Sequence, residues 1–492
     1  MMPLAQFPKP RAVPRSPAPG RSMVTRPPWR KRLAPGHLVG IRGRTPFPRR
    51  VGLRSLSPLR CPASPMRPPP PDTGISRELS AWAAYEFASN AFNTLVVTFI
   101  FSRYFQLVVV GDEAQGLLLW TRAVNLSAIV VALAMPVLGA AADFSGRKMT
   151  FLAWSTVGTV LLTASLFFVG PGMVLEGFLI FVAANVLFEA AAVFYNGFLP
   201  ELSSPRRMGR ISGIGWAMGY VGGLLCLFLA LWIMGQVTDE GSLNVRSTMI
   251  LAAAWYALFA VPMFVVVRER QRRRTVRPAI WLAAGVRRVR KTLGELRIYR
   301  QVARLLLARL VYNDGLVVIF SFAAIYLGTV FGLSFEEIIV FAIALNVAAG
   351  IGAVAFGFVN DRIGARPTIA ITLVVLTVAA LLGAWAPTVT LFWIPALMVG
   401  FMVGPNQAAS RSMLATFTPH RKQGEFFGFF AFSGKLASVA GPLVFGAVQQ
   451  FTGSFRLAMA SVAGFFVVGL LLLLWVDEEE GIAMAAELSR DP

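Results

Sequence analysis

Gly139-Ala-Ala-Ala-Asp143-Phe-Ser-Gly146-Arg147-Lys148 and Gly357-Phe-Val-Asn-Asp361-Arg362-Ile363-Gly364-Ala365-Arg366 share one pattern, G-x-x-x-D-x-x-G-x-[RK], at positions 218 residues apart. Each stretch follows one long apolar run and precedes another. A second echo lies near the same offset, where Gly209, Gly213 and Gly219 recur as Gly424, Gly428 and Gly434, 215 residues on. Two patterns in the same order, at nearly one offset, point to a duplicated half.

Composition gives the solvent of these halves. The chain has 492 residues, 56% hydrophobic and 14% charged, where a soluble domain carries roughly 25% charged residues. Apolar runs long enough to cross a bilayer as helices lie near 80–108, 116–142, 150–170, 173–198, 210–236, 247–267, 303–331, 335–359, 367–386, 389–414, 425–450 and 454–476. The expected fold is therefore an all-α integral membrane protein, with twelve transmembrane helices in two pseudo-symmetric six-helix halves. The expected divisions are a tail over 1–77, one half over 78–267, a central loop over 268–302, a second half over 303–476 and an acidic cytoplasmic tail over 477–492.

Residues 1–77 hold 16 Lys/Arg, one acid (Asp72) and 18 of the 31 prolines. That composition builds neither a core nor a stable helix, so the tail is expected to be disordered. The whole chain has 40 Arg against 6 Lys, which suggests a GC-rich genome, and the tail reads as the product of translating such DNA upstream of a candidate start at Met66. A basic arm for a membrane surface or nucleic acid is the functional alternative. Cys61 and Cys226 offer no disulfide framework, and His37 and His420 no multi-histidine site. No metal and no cofactor is expected.

Charge also orients the chain. Residues 268–300 carry twelve Lys/Arg against Glu269 and Glu295. The links at 143–149, 199–209, 360–366 and 415–424 are basic, and the alternate links are acidic or nearly neutral. The bias places both termini and the central loop in the cytoplasm, most simply at a bacterial plasma membrane. Within the central loop, Trp281-Leu-Ala-Ala-Gly-Val-Arg-Arg-Val-Arg290 reads either as an amphipathic helix on the membrane surface or as an arginine-rich tether.

Intramembrane charge is costly and normally faces a bundle interior. Spans 3, 6, 9 and 12 contain no Asp, Glu, Lys or Arg between their ends, as expected of helices that face lipid around a polar cavity. The other spans carry Glu86, Arg103, Arg122, Glu189, Arg304, Arg309, Asp314, Arg411 and Lys435. At 1.5 Å per residue, Asp314 and Lys435 lie about 15 Å from their basic ends, Glu189 about 14 Å and Glu86 about 9 Å. Arg103, Arg304 and Arg411 lie near helix ends and read as snorkelling anchors. The substrate- or ion-binding candidates are Glu86, Asn90, Glu189, Asn313, Asp314, Asn406 and Lys435. Lys435 needs a carboxylate partner, either Asp314 in its own half or Glu189 across the cavity. Whether such a pair is a permanent lock or a substrate site stays open.

The doubled motif between spans 2 and 3, and 8 and 9, resembles the cytoplasmic signature loop of the major facilitator superfamily. Four further stretches are similar to its vacuolar-effluxer-like branch, named for a fungal autophagy-related protein. They are Trp82-Ala-Ala-Tyr85-Glu86-Phe87-Ala-Ser89-Asn90-Ala-Phe92, Phe194-Tyr195-Asn196-Gly-Phe-Leu-Pro200-Glu201, Tyr312-Asn313-Asp314-Gly315 and Phe426-Phe427-Gly428-Phe-Phe-Ala-Phe-Ser433-Gly434-Lys435. The likeness covers about residues 78–476. It departs from the family pattern at Glu86, where Asp is usual, and in the Ser89-Asn90 order.

The resemblance implies a secondary carrier working by alternating access on a small solute, with amino acids suggested by the fungal relatives. The expected energy source is an ion gradient, of protons or another cation, or the solute's own gradient. No enzyme motif is present, and Ser433-Gly434-Lys435 lacks both the spacing and the Ser/Thr of a phosphate loop. The expected partners are the solute and the lipid bilayer, without nucleic acid, and a monomer is expected. The rival class is a non-transporting sensor or scaffold on a carrier fold.

The repeated loops imply conformational latches formed by Gly139, Asp143, Gly146, Arg147, Glu425, Arg210, Gly357, Asp361, Gly364 and Arg366. Asp143 and Arg147 should lie beside the start of span 11, where Glu425 can pair with Arg147. Arg210 should pair with Asp361. Each aspartate can also accept from a helix N-terminus, whose first N–H groups have no partner within the helix.

Overall fold

The computed structural model describes residues 76–270, 278–438 and 440–490. The expectations for residues 1–75, including the start at Met66, fall outside the described residues, as do Arg272, Arg273, Arg274 and Arg277 of the central loop.

Twelve helices are long and apolar enough to cross a bilayer. Spans 1 to 6 are Arg77–Val109, Glu113–Ser145, Lys148–Phe168, Val174–Leu202, Pro205–Gln236 and Glu240–Val266. Spans 7 to 12 are Arg300–Phe331, Glu336–Ile363, Ala365–Trp385, Val389–Phe417, Gln423–Thr452 and Phe455–Leu473. Two shorter helices, Pro278–Gly294 and Glu478–Arg490, follow the two halves. Among the described residues there is no strand.

Local chemistry sets several ends. Asp112, Ser334, Thr388 and Ser454 each accept from a first-turn N–H and start spans 2, 8, 10 and 12. Spans 2 and 8 stop at Gly146 (φ 63°) and Gly364 (φ 94°), backbone angles that a side chain disfavours. The second glycine of each signature loop is thus a helix terminator. Two spans are irregular. Span 1 widens to a π-helix over Phe92–Phe99 and Phe105–Val109. Span 11 is helical over Gln423–Leu436 and again over Ala440–Thr452.

Spans 3, 6, 9 and 12 form the flanks, span 3 packing on 4 and 6 and span 9 on 10 and 12. Their outward residues, Trp154, Leu161, Leu258, Val265, Leu382 and Leu471, are exposed and apolar, which suits lipid. Between the halves, span 2 packs along span 11 and span 5 along span 8. These contacts run from the signature loops to mid-span. Beyond them, Ala440–Thr452 packs on spans 7 and 12 of its own half, and the far part of span 1 on spans 2, 5 and 6 of its half. The halves close on the side that carries the signature loops, called the loop side below, and diverge on the other.

Close approach explains the repeated glycines. A Cβ on Gly139 would collide with the Gly424 carbonyl, and one on Gly213 with the Ala353 carbonyl. Both clashes lie between halves rather than within one. Gly139→Val should therefore spare the fold and oppose closure, at a cost of about 1–3 kcal/mol. Ser212, whose hydroxyl donates to the Ala408 carbonyl across the interface, is fully buried. A Ser212→Cys reporter should react with a water-soluble maleimide about tenfold faster when Gly139→Val is added. Unchanged labelling would mean that the glycine contact does not limit opening.

Candidate functional site

The loop-side contacts of the two signature motifs join the halves. Asp143 accepts from the backbone N–H groups of Gly424 (3.0 Å) and Glu425 (2.9 Å), the first turn of span 11. Asp361 accepts from those of Gly209 (2.9 Å) and Arg210 (3.2 Å), the first turn of span 5. One carboxylate thus caps one helix dipole in each direction across the interface. Arg210 Nε also approaches Asp361 Oδ2 at 2.9 Å, the expected pair.

The expected Glu425–Arg147 pair does not form. Arg147 lies over the ring of Trp281, 5.4 Å away, because the helix Pro278–Gly294 occupies the space beside it. The Glu425 carboxylate is buried with neither oxygen hydrogen-bonded. Lys148, the next residue of the motif, makes the cross-half contact instead. Its fully buried Nζ donates to the Gly197 carbonyl (2.8 Å), Glu201 (2.6 Å) and Gln423 (2.7 Å).

Each half also ties down the helix after its signature loop. Glu478 accepts from the N–H groups of Ala365 and Arg366, both at 2.9 Å, and Arg366 donates on to the Leu474 carbonyl. Glu269 accepts from Met149 N–H at 3.3 Å in the first half, and burial pushes its carboxyl above the usual range. Residues expected as an acidic tail therefore fold as Glu478–Arg490, which caps span 9. A recess of about 260 Å³ lined by Arg206, Asn360, Asp361, Ser412 and Glu478 lies beside this cap.

Deeper within the spans, two ion pairs join the halves, one at mid-span and one nearer the loop side. Lys435 donates to Glu189 at 2.5 Å, both side chains remaining about one quarter exposed. The cross-cavity partner is the one selected. Arg411 reaches Glu86 at 3.1 Å and also donates to Asn196 and to the hydroxyl and carbonyl of Ser212. Its guanidinium sits near the rings of Trp82 and Trp216. Arg411 is 2% exposed, so it is no snorkelling anchor: span 10 continues to Phe417, and closure of the halves covers it. Arg304 and Arg103 are anchors, bonded to the Trp475 carbonyl and to Glu113 in exposed positions.

Asp314 is not part of the Lys435 pair. It accepts from Gly441 N–H at 2.7 Å, where span 11 resumes after its break and backbone groups need acceptors. Asn406 turns into its own half, donating to Thr372 at 2.9 Å. Asn313 accepts from Gln407 at 3.0 Å. Asn90 lies over Gly219 and Gly223 of span 5, and Glu86 over Gly219, so the small residues make room for the polar face of span 1. Arg309, a further buried cation, stacks on Phe430 at 3.6 Å and donates to Ser433 and the Phe430 carbonyl.

Sequence reasoning missed Lys148, Arg309 and Arg411 as site residues. The run Asn406-Gln407-Ala-Ala-Ser410-Arg411-Ser412, polar along one helix, was the available signal for Arg411. The two cross-half pairs take their carboxylates from the first half and their cations from the second.

Residues 104–486 match the family described as "Vacuole effluxer Atg22 like". An "Uncharacterized MFS-type transporter YxiO" of Bacillus subtilis is 28% identical over 413 residues, covering 82% of this chain and 96% of that one. "Autophagy-related protein 22" of Kluyveromyces lactis is 22% identical, covering 70% and 75%. Among solved structures, the human organic anion transporter MFSD10 aligns with a TM-score of 0.64 at 15% identity over 81% of this chain and 99% of that one. The proton:xylose symporter XylE aligns with a TM-score of 0.65 at 14% identity over 85% and 99%. These likenesses give the fold.

Removing one partner of a buried pair leaves a charge without compensation. Glu86→Gln should lower unfolding stability in detergent by on the order of 3 kcal/mol. Adding Arg411→Met should restore most of that loss. If the double variant is as unstable as the single, Arg411 is held by its other partners rather than by Glu86.

Proposed function

Because this chain belongs to the family of vacuole effluxers like Atg22, and with it to the transporters of the major facilitator superfamily, we propose that it is a secondary carrier for a small zwitterionic solute, of the amino-acid class, working by alternating access. The observation that carries this reading is the pair of ion bridges within the spans, Glu189–Lys435 at mid-span and Glu86–Arg411 nearer the loop side, each joining one half to the other.

A lone charge in mid-bilayer costs about 2.5–3.5 kcal/mol or more. The halves separate on the loop side only if each bridge finds a substitute partner. A solute carboxylate can replace Glu189 at Lys435 while its ammonium replaces Lys435 at Glu189. Protonation of Glu189 would release the same bridge, which is where a coupled proton would act. The partial exposure of both side chains suits exchange, and the buried Arg411 suits a hinge that re-forms in each cycle. On this reading the state seen is closed on the loop side and open on the other.

The basic links support an orientation with the loop side, both termini and the helix Pro278–Gly294 in the cytoplasm, most simply of a bacterial cell. Asp143 and Asp361 then act as cytoplasmic latches, and the divisions at 78–267 and 303–476 are the bodies that rock. A sensor or scaffold would have no use for exchangeable charge at this depth.

Proteoliposome counterflow with a mixed amino-acid pool tests the reading. Lys435→Ala and Glu189→Gln should each abolish flux in protein that remains folded. The combined variant should stay inactive if the pair meets solute. Recovered flux would make the pair structural, and full activity of Lys435→Ala would overturn the proposal. Asp143→Asn should lower flux and raise loop-side labelling of the Ser212→Cys reporter.

A further inference from the structure

The helix Pro278–Gly294 has two unlike faces. Trp281, Gly285, Arg288 and Thr292 follow one another at helical spacing and face the protein. Trp281 packs on Phe151 of span 3 at 5.8 Å. Gly285 meets the Val137 carbonyl and Ala141 of span 2. Arg288 donates to the Arg421 carbonyl at 3.0 Å, and Thr292 accepts from Lys422 at 2.7 Å. Arg421 and Lys422 lead directly into span 11. The helix is therefore a strap fastened to both halves across the loop side.

Its other face is exposed and divided. Leu282, Val286 and Leu293 line one flank and are exposed. Arg287 and Arg290 line the next, also exposed. Depth identifies what this face meets. Val137 precedes the end of span 2 at Gly146 by nine residues, about 13 Å along the helix axis. The strap thus lies beside the end of a membrane-spanning helix, at the level of headgroups and upper acyl chains. An apolar flank next to a basic flank at that depth fits an interfacial helix on anionic lipid.

We propose that the strap docks on the anionic leaflet of the loop side, with Leu282, Val286 and Leu293 in the acyl boundary and Arg287 and Arg290 on lipid phosphates. A strap held by lipid keeps its contacts to Arg421 and Lys422, so anionic lipid favours closure of the loop side. The docking does not depend on which solute is carried.

The test uses the full chain with Cys61→Ser, leaving Cys226 fully buried, and Leu293→Cys as the reporter. In nanodiscs of phosphatidylcholine, Leu293→Cys should react readily with a water-soluble maleimide. In discs that also contain phosphatidylglycerol, labelling should slow by about tenfold or more. Arg287→Glu with Arg290→Glu should remove that protection, and the Ser212→Cys reporter in otherwise wild-type strap should also be slowed by the anionic lipid. Equal labelling of Leu293→Cys in both lipids would overturn the proposal, as would protection that survives the charge reversal. Protection by inorganic phosphate in neutral discs would assign the basic flank to a soluble anion and overturn it equally.

Discussion

An unpaired charge in mid-bilayer is too costly to keep, and the interior of this protein is arranged around that constraint. The first half supplies Glu86 and Glu189, and the second supplies Arg411 and Lys435. In this structure each member of these pairs takes its partner from the opposite half. The halves are thus held together by groups that would be left stranded by separation. Such bridges are weak as glue, because desolvation offsets much of the attraction, but they are selective for partners of the right charge. On the proposed carrier reading that combination is needed, since the interface would part in every cycle.

Backbone groups obey the same rule at the loop side. The first turns of spans 5 and 11 present N–H groups without helical partners, and Asp361 and Asp143 from the opposite half accept from them. Glu269 and Glu478 do the same for the helices that follow each signature loop. The duplication of sequence is a duplication of acceptors, with each copy serving the other half. Asp314 extends the rule into the membrane, where the resumed helix of span 11 exposes Gly441 N–H. A carboxylate that looked like a substrate ligand by depth is used to stabilise a broken helix.

Glycine sets how close the halves come. Gly139 and Gly213 leave no room for a side chain against the Gly424 and Ala353 carbonyls, so carboxylate and N–H meet at hydrogen-bonding distance. The strap over the loop side adds contacts that a two-body picture omits. It displaces Arg147 from its expected partner and links Phe151 to the approach of span 11.

The twelve spans, their halves, the glycine interfaces and the aspartate contacts between halves were legible because each rests on local pattern: apolar length, a repeated spacing, a helix-ending glycine. Charge depth likewise singled out Glu189 and Lys435. What remained hidden depends on where helices end and what covers them. Arg411 reads as an anchor three residues from a predicted helix end, yet span 10 runs on and the closed interface buries it. Asp314 reads as a partner for Lys435 if span 11 is continuous, and becomes a cap once it breaks. Arg147 and Lys148 are neighbours in one motif, and only the packing of Trp281 and Gln423 decides which of them crosses the interface. The sequence by itself determined which groups could carry charge or approach closely, since those are properties of residue type and period. The tertiary structure decided who pairs with whom, because pairing depends on which helix ends and backbone N–H groups the fold leaves in need of a partner.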